Sequence, residues 1–175
     1  FLTYLRAASF TEEIRFDAYS RACGEVFDIL NHAGIDYLLL KGAAYAGAFY
    51  RVPCLRHSDD LDLLLQEKDL FIAAEALLRA GLKPDSYPLD VGTHHLTKIF
   101  HKSGLSVELH RRLYDPYCYY FPFDDLWVMG RSAMIAGREL RILGPVDSLL
   151  NILTHATMCS SQRSLRWVCD AWLLV

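Results

Sequence analysis

Two acidic residues inside an apolar run constrain this chain more than any other feature. In Arg56-His57-Ser58-Asp59-Asp60-Leu61-Asp62-Leu63-Leu64-Leu65, Asp60 and Asp62 stand two residues apart in a segment that otherwise reads as a buried strand. Alternate side chains of a strand share a face, so the two carboxylates project together. Like charges side by side next to a core are costly unless something positive neutralises them. A divalent cation such as Mg2+ or Mn2+ meets that need, because hard cations take carboxylate oxygens. Chemistry on phosphates is the leading idea that follows. Taken alone, the same letters also fit a turn entering a strand, with Asp62 at an exposed edge.

The 175 residues suit one domain, or one domain with a helical appendage. A hydrophobic share of 53% and an aromatic share of 13% are ample for a core. The formal net charge of −3 offers no broad basic surface, which argues against nonspecific nucleic-acid binding but leaves room for a local basic cleft. The five cysteines (Cys23, Cys54, Cys118, Cys159, Cys169) are scattered and never paired as CxxC. That pattern fits reduced thiols in a cytosol rather than a disulfide framework or a zinc site. No apolar run reaches transmembrane length and no signal peptide is evident, so a cytoplasmic protein without a membrane partner is expected. The start at Phe1 and the stop within Ala171-Trp172-Leu173-Leu174-Val175 read as the ends of a fragment.

Periodicity and turn residues divide the chain into an N-terminal helical segment (1–34), an α/β core (35–143) and C-terminal helices (144–175). Thr11 with Glu12 and Glu13 reads as a helix start, and Ile14, Ala18, Ala22, Val26, Ile29 and Leu30 follow at helical spacing up to Gly34. Asp36 to Leu40 reads as a strand running into Lys41-Gly42 and a short helix rich in small residues. A second strand is expected over 60–65, and an amphipathic helix over 68–80, capped by Gly81. Strands over 96–101 and 105–110 form a hairpin through Lys102-Ser103-Gly104, and 133–143 forms another through Ala136-Gly137. Pro145 and Asp147 open a helix to about Met158, and a last helix starts near Arg163. The expected class is α+β: a small mixed β-sheet with flanking helices and a helical C-terminal part.

Val107-Glu108-Leu109-His110 alternates, with Glu108 and His110 on one face and Val107 and Leu109 on the other. Beside the Asp60 strand, about 5 Å away, Glu108 would complete a three-carboxylate cluster. Two metal ions roughly 3.5–4 Å apart would then find ligands, serving an attacking oxygen and a leaving pyrophosphate. The Asp pair alone suits one ion. The competing reading of Glu108 is an exposed strand position paired with Arg111 or Arg112. A glycine directly after a buried strand and opening a helix, as at Lys41-Gly42, lets backbone N–H groups approach phosphate oxygens, although many such turns use glycine for geometry alone. His94, His95 and His101 fit no common zinc spacing and read as loop or pairing residues. His110 shares the Glu108 face and reads as a hydrogen-bonded histidine or a substrate contact. Cys118 lies in an aromatic stretch, Tyr117 to Phe123, read as a packed loop or lid. Asp170 reads as an intrahelical ion pair with Arg166.

The order and spacing of Leu40-Lys41-Gly42-Ala43-Ala44, Tyr50, Arg56, Ser58-Asp59-Asp60-Leu61-Asp62-Leu63-Leu64 and Val107-Glu108-Leu109-His110 resemble the uncharacterised nucleotidyltransferase family, within the DNA polymerase β-like superfamily. The closing region, with His155 and Leu165 to Asp170, is similar as well, so the resemblance spans about residues 25–175. It implies metal-dependent transfer of a nucleoside monophosphate from an NTP to an acceptor. Asp60 and Asp62 would bind both metals, and Glu108 would bind the catalytic one and help deprotonate the acceptor hydroxyl. Lys41 and Gly42 would hold the triphosphate, with Arg56 as a further phosphate contact. The acceptor class stays open among a small molecule, a protein side chain and an RNA end. Gly42-Ala43 departs from the superfamily's Gly-Ser, which removes a phosphate-binding hydroxyl. A noncatalytic nucleotide-binding or partner-binding module with the same fold is therefore the alternative.

Overall fold

The chain's apolar runs become neighbouring strands at the centre of one sheet. The structure, a computed structural model, describes residues 2–92, 94–114, 120–158 and 165–175. Strands β1 (Tyr37–Leu39) and β2 (Asp60–Leu65) pair antiparallel, and β5 (Ser106–His110) runs parallel to β2 on its other side. With β3 (Lys83–Pro84), β4 (Ile99–Phe100), β6 (Arg131–Ile135) and β7 (Arg138–Ile142) they form a seven-stranded mixed sheet, ordered β3-β4-β5-β2-β1-β7-β6. The helices are α1 (Leu2–His32), α2 (Lys41–Ala48), α3 (Leu70–Arg79), α4 (Phe123–Met129), α5 (Pro145–Met158) and α6 (Arg166–Leu174).

Central position explains why β2 is apolar on nearly every residue. Leu61, Leu63 and Leu65 enter the main core with Phe27 and Leu30 of α1 and Ala73 and Leu77 of α3. Leu64 faces the other way, into a smaller cluster with Leu38, Leu40, Leu126 and Leu143. Strand alternation puts Asp60 and Asp62 on this second face. The reading of Asp62 as an exposed edge residue fails, since the residue is 2% exposed with a strand on each side. Ile152 of α5 also enters the main core, with Ala171 and Leu174 of α6 packed against it.

Both expected hairpins are present. Lys102-Ser103-Gly104 joins β4 to β5, with Gly104 at φ +88°, and Ala136 (φ +51°) and Gly137 (φ +74°) join β6 to β7. Two consecutive positive φ values are what a two-residue turn between twisted strands requires.

The structure corrects α1. It starts at Leu2 rather than near Thr11, whose hydroxyl donates back to the Ala7 carbonyl (2.9 Å) instead of capping. No glycine or proline interrupts Leu2 to Phe10, so a mid-helix threonine passes for a cap. Ile14 is accordingly 55% exposed, and burial on α1 begins at Ala22. The expected helix over 68–80 opens with a 3-10 turn, Glu67–Asp69, before α3. Two elements escaped sequence reading. β3 is too short to show alternation, and α4 follows an aromatic run, although Asp124 and Asp125 in its first turn are a helix-start signal. Cys118, and the onset of the last helix near Arg163, lie outside the described residues. Cys23, Cys54 and Cys169 are free thiols, and burial pushes the Cys23 thiol up to about 12. Among the described residues, no helix is long and apolar enough to cross a membrane.

Burial along α1 sets a contrast for urea denaturation. Phe27→Ala, at a fully buried position, is expected to cost about 3–5 kcal/mol. Ile14→Ser, on the exposed part of the helix, should stay within about 0.5 kcal/mol of the parent.

Candidate active site

Parallel pairing of β2 with β5 sets Asp62 directly opposite Glu108, with Asp60 opposite Ser106. Glu108 and His110 are both buried, at 7% and 1% exposure. His110 reaches across: its Nε2 lies 2.8 Å from Asp62 Oδ1 and 3.5 Å from Glu108 Oε2. In the tautomer protonated on Nε2, His110 donates to Asp62. Lys41, from the first turn of α2, places Nζ 2.7 Å from the same Asp62 oxygen. Lys98 places Nζ 2.6 Å from Glu108 Oε1. Glu108 therefore pairs with Lys98 rather than with Arg111 or Arg112, and Arg111 instead meets Glu67 at 2.9 Å.

The carboxylates divide electrostatically. Burial raises the pKa of Asp60, and the neighbouring charge of Asp62 adds to the rise. Burial alone would also raise Asp62, but the His110 hydrogen bond and the Lys41 charge outweigh it and hold Asp62 below its ordinary value. The His110 hydrogen bond, working against burial and aided by Lys98, holds Glu108 well below the usual carboxylate range. Asp62, Glu108 and His110 each offer a ligand atom, all within 4.8 Å of one another. With Asp60 adjacent and still short of positive charge, this oxygen-rich set fits a divalent cation.

A cavity of about 220 Å³ opens beside Asp60 and Asp62. Lys41, Gly42 and Ser58 line its sheet side, and His155, Arg166 and Trp167 of α5 and α6 line the other. Lys41 sits at φ +46°, in left-handed space that is unfavourable for a lysine. Its ammonium is ion-paired with Asp62. Gly42 has a packing reason beyond any phosphate: a Cβ at this position would stand 2.0 Å from Ser58 Oγ and 2.7 Å from Ser58 Cβ.

Residues 56–60, just ahead of the carboxylates, are gripped from two sides. From α1, Arg15 Nη1 donates to the Ser58 carbonyl (2.7 Å) and the Tyr19 hydroxyl donates to the Asp60 carbonyl (2.7 Å). From α6, Asp170 accepts Arg56 Nε (2.8 Å), Arg56 Nη2 (2.9 Å) and the Tyr50 hydroxyl (2.8 Å). Asp170 is 3% exposed, so its partner is Arg56 and not Arg166. Arg166 donates instead to the His57 carbonyl (3.2 Å). Sequence distance hid this pair, since 114 residues separate its members. Arg56 lines the cavity with its guanidinium turned onto Asp170, while Nη1 donates to the His57 carbonyl (2.6 Å).

His94 and His95 form a ring cluster with His110, with centroids 4.7–5.5 Å apart. His101 meets Glu25 at 3.1 Å and Ser103 at 2.8 Å.

A family profile described as uncharacterised nucleotidyltransferase matches residues 1–175. The chain belongs to that family. No curated protein matches it in sequence. Similar solved folds include a lincosamide antibiotic adenylyltransferase, LnuA, bound to lincomycin (TM-score 0.61, 14% identity, covering 88% of this chain and 94% of that one). The antibiotic-resistance factor ANT(2'')-Ia is similar over 90% of this chain and 83% of its own (TM-score 0.65, 14% identity). A nucleotidyltransferase structure from Thermotoga maritima follows (TM-score 0.60, 14% identity, 88% and 94% covered). The fold is thus that of a nucleotidyltransferase. Within this family frame, the hydroxyl missing from Gly42-Ala43 has a neighbour in space: Ser58 Oγ lies against Gly42.

Two outcomes test the packing of this site. Gly42→Ala is expected to destabilise by about 1–3 kcal/mol through overpacking, and adding Ser58→Gly, which removes both clashing atoms, should restore most of that loss in thermal unfolding. Arg56→Met leaves Asp170 buried and unpaired, with an expected cost of about 3–5 kcal/mol in urea denaturation.

Proposed function

We propose that this chain is a metal-dependent nucleotidyltransferase that moves a nucleoside monophosphate from an NTP to an acceptor nucleophile. The observation that supports it most is the register pairing Asp62 with Glu108 while Asp60 and Asp62 face the cavity. In the reaction, an acceptor oxygen forms a bond to the α-phosphorus, the bond to the bridging pyrophosphate oxygen breaks so that pyrophosphate leaves, and the acceptor's proton passes to solvent water. Asp60 and Asp62 are the carboxylates that would hold Mg2+ or Mn2+, with Glu108 beside them as the third acid of the cluster. Such a cation, when bound, neutralises triphosphate charge and stabilises the departing pyrophosphate.

The chain's own groups supply the rest of the site. Lys41 brings an ammonium group to the cavity wall, and the N-terminal turn of α2, with Gly42, brings backbone N–H groups suited to phosphate oxygens. Ser58 brings the hydroxyl that Ala43 lacks. Arg56 adds positive charge to the same wall, with Asp170 setting its direction. Glu108, held between Lys98 and His110, is the acid that would help the acceptor lose its proton. The acceptor we infer is a small molecule or a protein side chain. A net charge of −3 weighs against a bulky RNA acceptor, which calls for a broad basic surface, and one protein of similar fold is an adenylyltransferase bound to lincomycin.

The test is incubation with each α-labelled NTP and Mg2+ or Mn2+, using cell extract as the acceptor pool. Label transfer is expected, and Asp60→Asn/Asp62→Asn should abolish it. A folded protein that transfers no label with any nucleotide or metal would instead be a noncatalytic nucleotide-binding or partner-binding module.

A further inference from the structure

The three carboxylates are not equally available, and the difference carries a statement about how many ions the centre holds. Asp60 and Asp62 line the cavity, whereas Glu108 is absent from its lining. Both Glu108 oxygens already face a positive or donating group: Oε1 meets Lys98 Nζ at 2.6 Å, and Oε2 meets His110 Nε2 at 3.5 Å. Asp62 commits only one oxygen, Oδ1, to both Lys41 (2.7 Å) and His110 (2.8 Å). Among the described residues, the side-chain hydrogen bond Asp60 accepts is from the Ser58 hydroxyl at 3.2 Å. Unmet negative charge is therefore concentrated at the Asp60–Asp62 end, next to the cavity. At the Glu108 end, it is already balanced by a lysine.

We propose that the centre is built for a single divalent cation, seated at Asp60 and Asp62, with the Lys98 ammonium as the fixed positive charge at Glu108. This rests on the nucleotidyltransferase reading and deepens it. The fold's three-carboxylate arrangement has room for two ions roughly 3.5–4 Å apart. Here, a second ion at Glu108 would have to displace an ammonium group from 2.6 Å. A lysine in that place supplies charge without a metal's geometry, so the site depends on divalent ion only at its Asp60–Asp62 half. Lys98 is a suitable point of intervention because its side chain is 45% exposed, so removing its charge leaves the core intact.

The experiment counts bound Mn2+ on the full chain without nucleotide, from loss of the free-ion signal in electron paramagnetic resonance. One site is expected for the parent and two for Lys98→Met, the added site disappearing in Lys98→Met/Glu108→Gln. Asp60→Asn should weaken the parent site by tenfold or more, whereas Glu108→Gln alone should shift it less than threefold. Far-ultraviolet circular dichroism confirms that each variant is folded. Two sites in the parent would overturn the proposal, as would a single site that survives Asp60→Asn and is lost in Glu108→Gln. Lys98→Met retaining one site would also overturn it, because Lys98 would then not be what excludes the second ion. Absence of any Mn2+ binding sinks the proposal together with the metal-dependent reading. Single-site binding without label transfer upholds the ion count and removes the transferase reading alone.

Discussion

The parallel pairing of β2 and β5 is the constraint on which the rest of the site depends. It brings Asp62 opposite Glu108 and carries His110 to within hydrogen-bonding distance of both. Three carboxylates beside a leucine core would be untenable without compensation. Lys41, His110 and Lys98 provide part of it, each from a different segment: the start of α2, the end of β5 and the approach to β4. The backbone of Lys41 accepts left-handed geometry to do so. Backbone strain of this kind persists only where surrounding contacts over-determine it, and the Asp62 ion pair is one contact Lys41 makes.

The surrounding elements hold the carboxylates in place. α1 reaches the segment before β2 through Arg15 and Tyr19, and α6 reaches it through Asp170 and Arg166. Both helices come from parts of the chain far from β2, and both also contribute to the main core with the sheet. A buried, doubly hydrogen-bonded Arg56–Asp170 pair is poor evidence for net stability, since desolvation offsets much of its attraction. Its geometric consequence is clearer. It ties the helix carrying Trp167 to the loop carrying Ser58, and so links the two walls of the cavity.

Gly42 shows how one residue can answer to two demands. A glycine at a strand-to-helix junction reads naturally as a phosphate-binding position. The structure adds that Ser58 occupies the space a side chain would need. The same contact puts a hydroxyl beside the α2 N-terminus, where the sequence comparison of Gly42-Ala43 with Gly-Ser finds one missing. A motif departure in one segment can thus be met by a residue from another, because the cavity is sensitive to position in space rather than to order in the chain.

Much of the fold and the carboxylate set was legible in the residues themselves. Period-two alternation in Asp60 to Leu65 and in Val107 to His110 determined which side chains share a face, and turn chemistry at Gly104 and Ala136-Gly137 determined both hairpins. Both are local properties, set by backbone stereochemistry over a few residues. Where α1 begins, and which part of it is buried, was not legible, because helix propensity extends through Leu2 to Phe10 whether or not anything packs there. Strand order and ion-pair partners were likewise decided only by the tertiary structure. Glu108 chose Lys98 over the adjacent arginines, and Asp170 chose Arg56 over Arg166 one helical turn away. Charges pair with whatever packing brings within a few ångströms, and a buried carboxylate takes the partner that shares its burial. The chain alone therefore determined which acidic groups share a face, and folding decided which partners they meet.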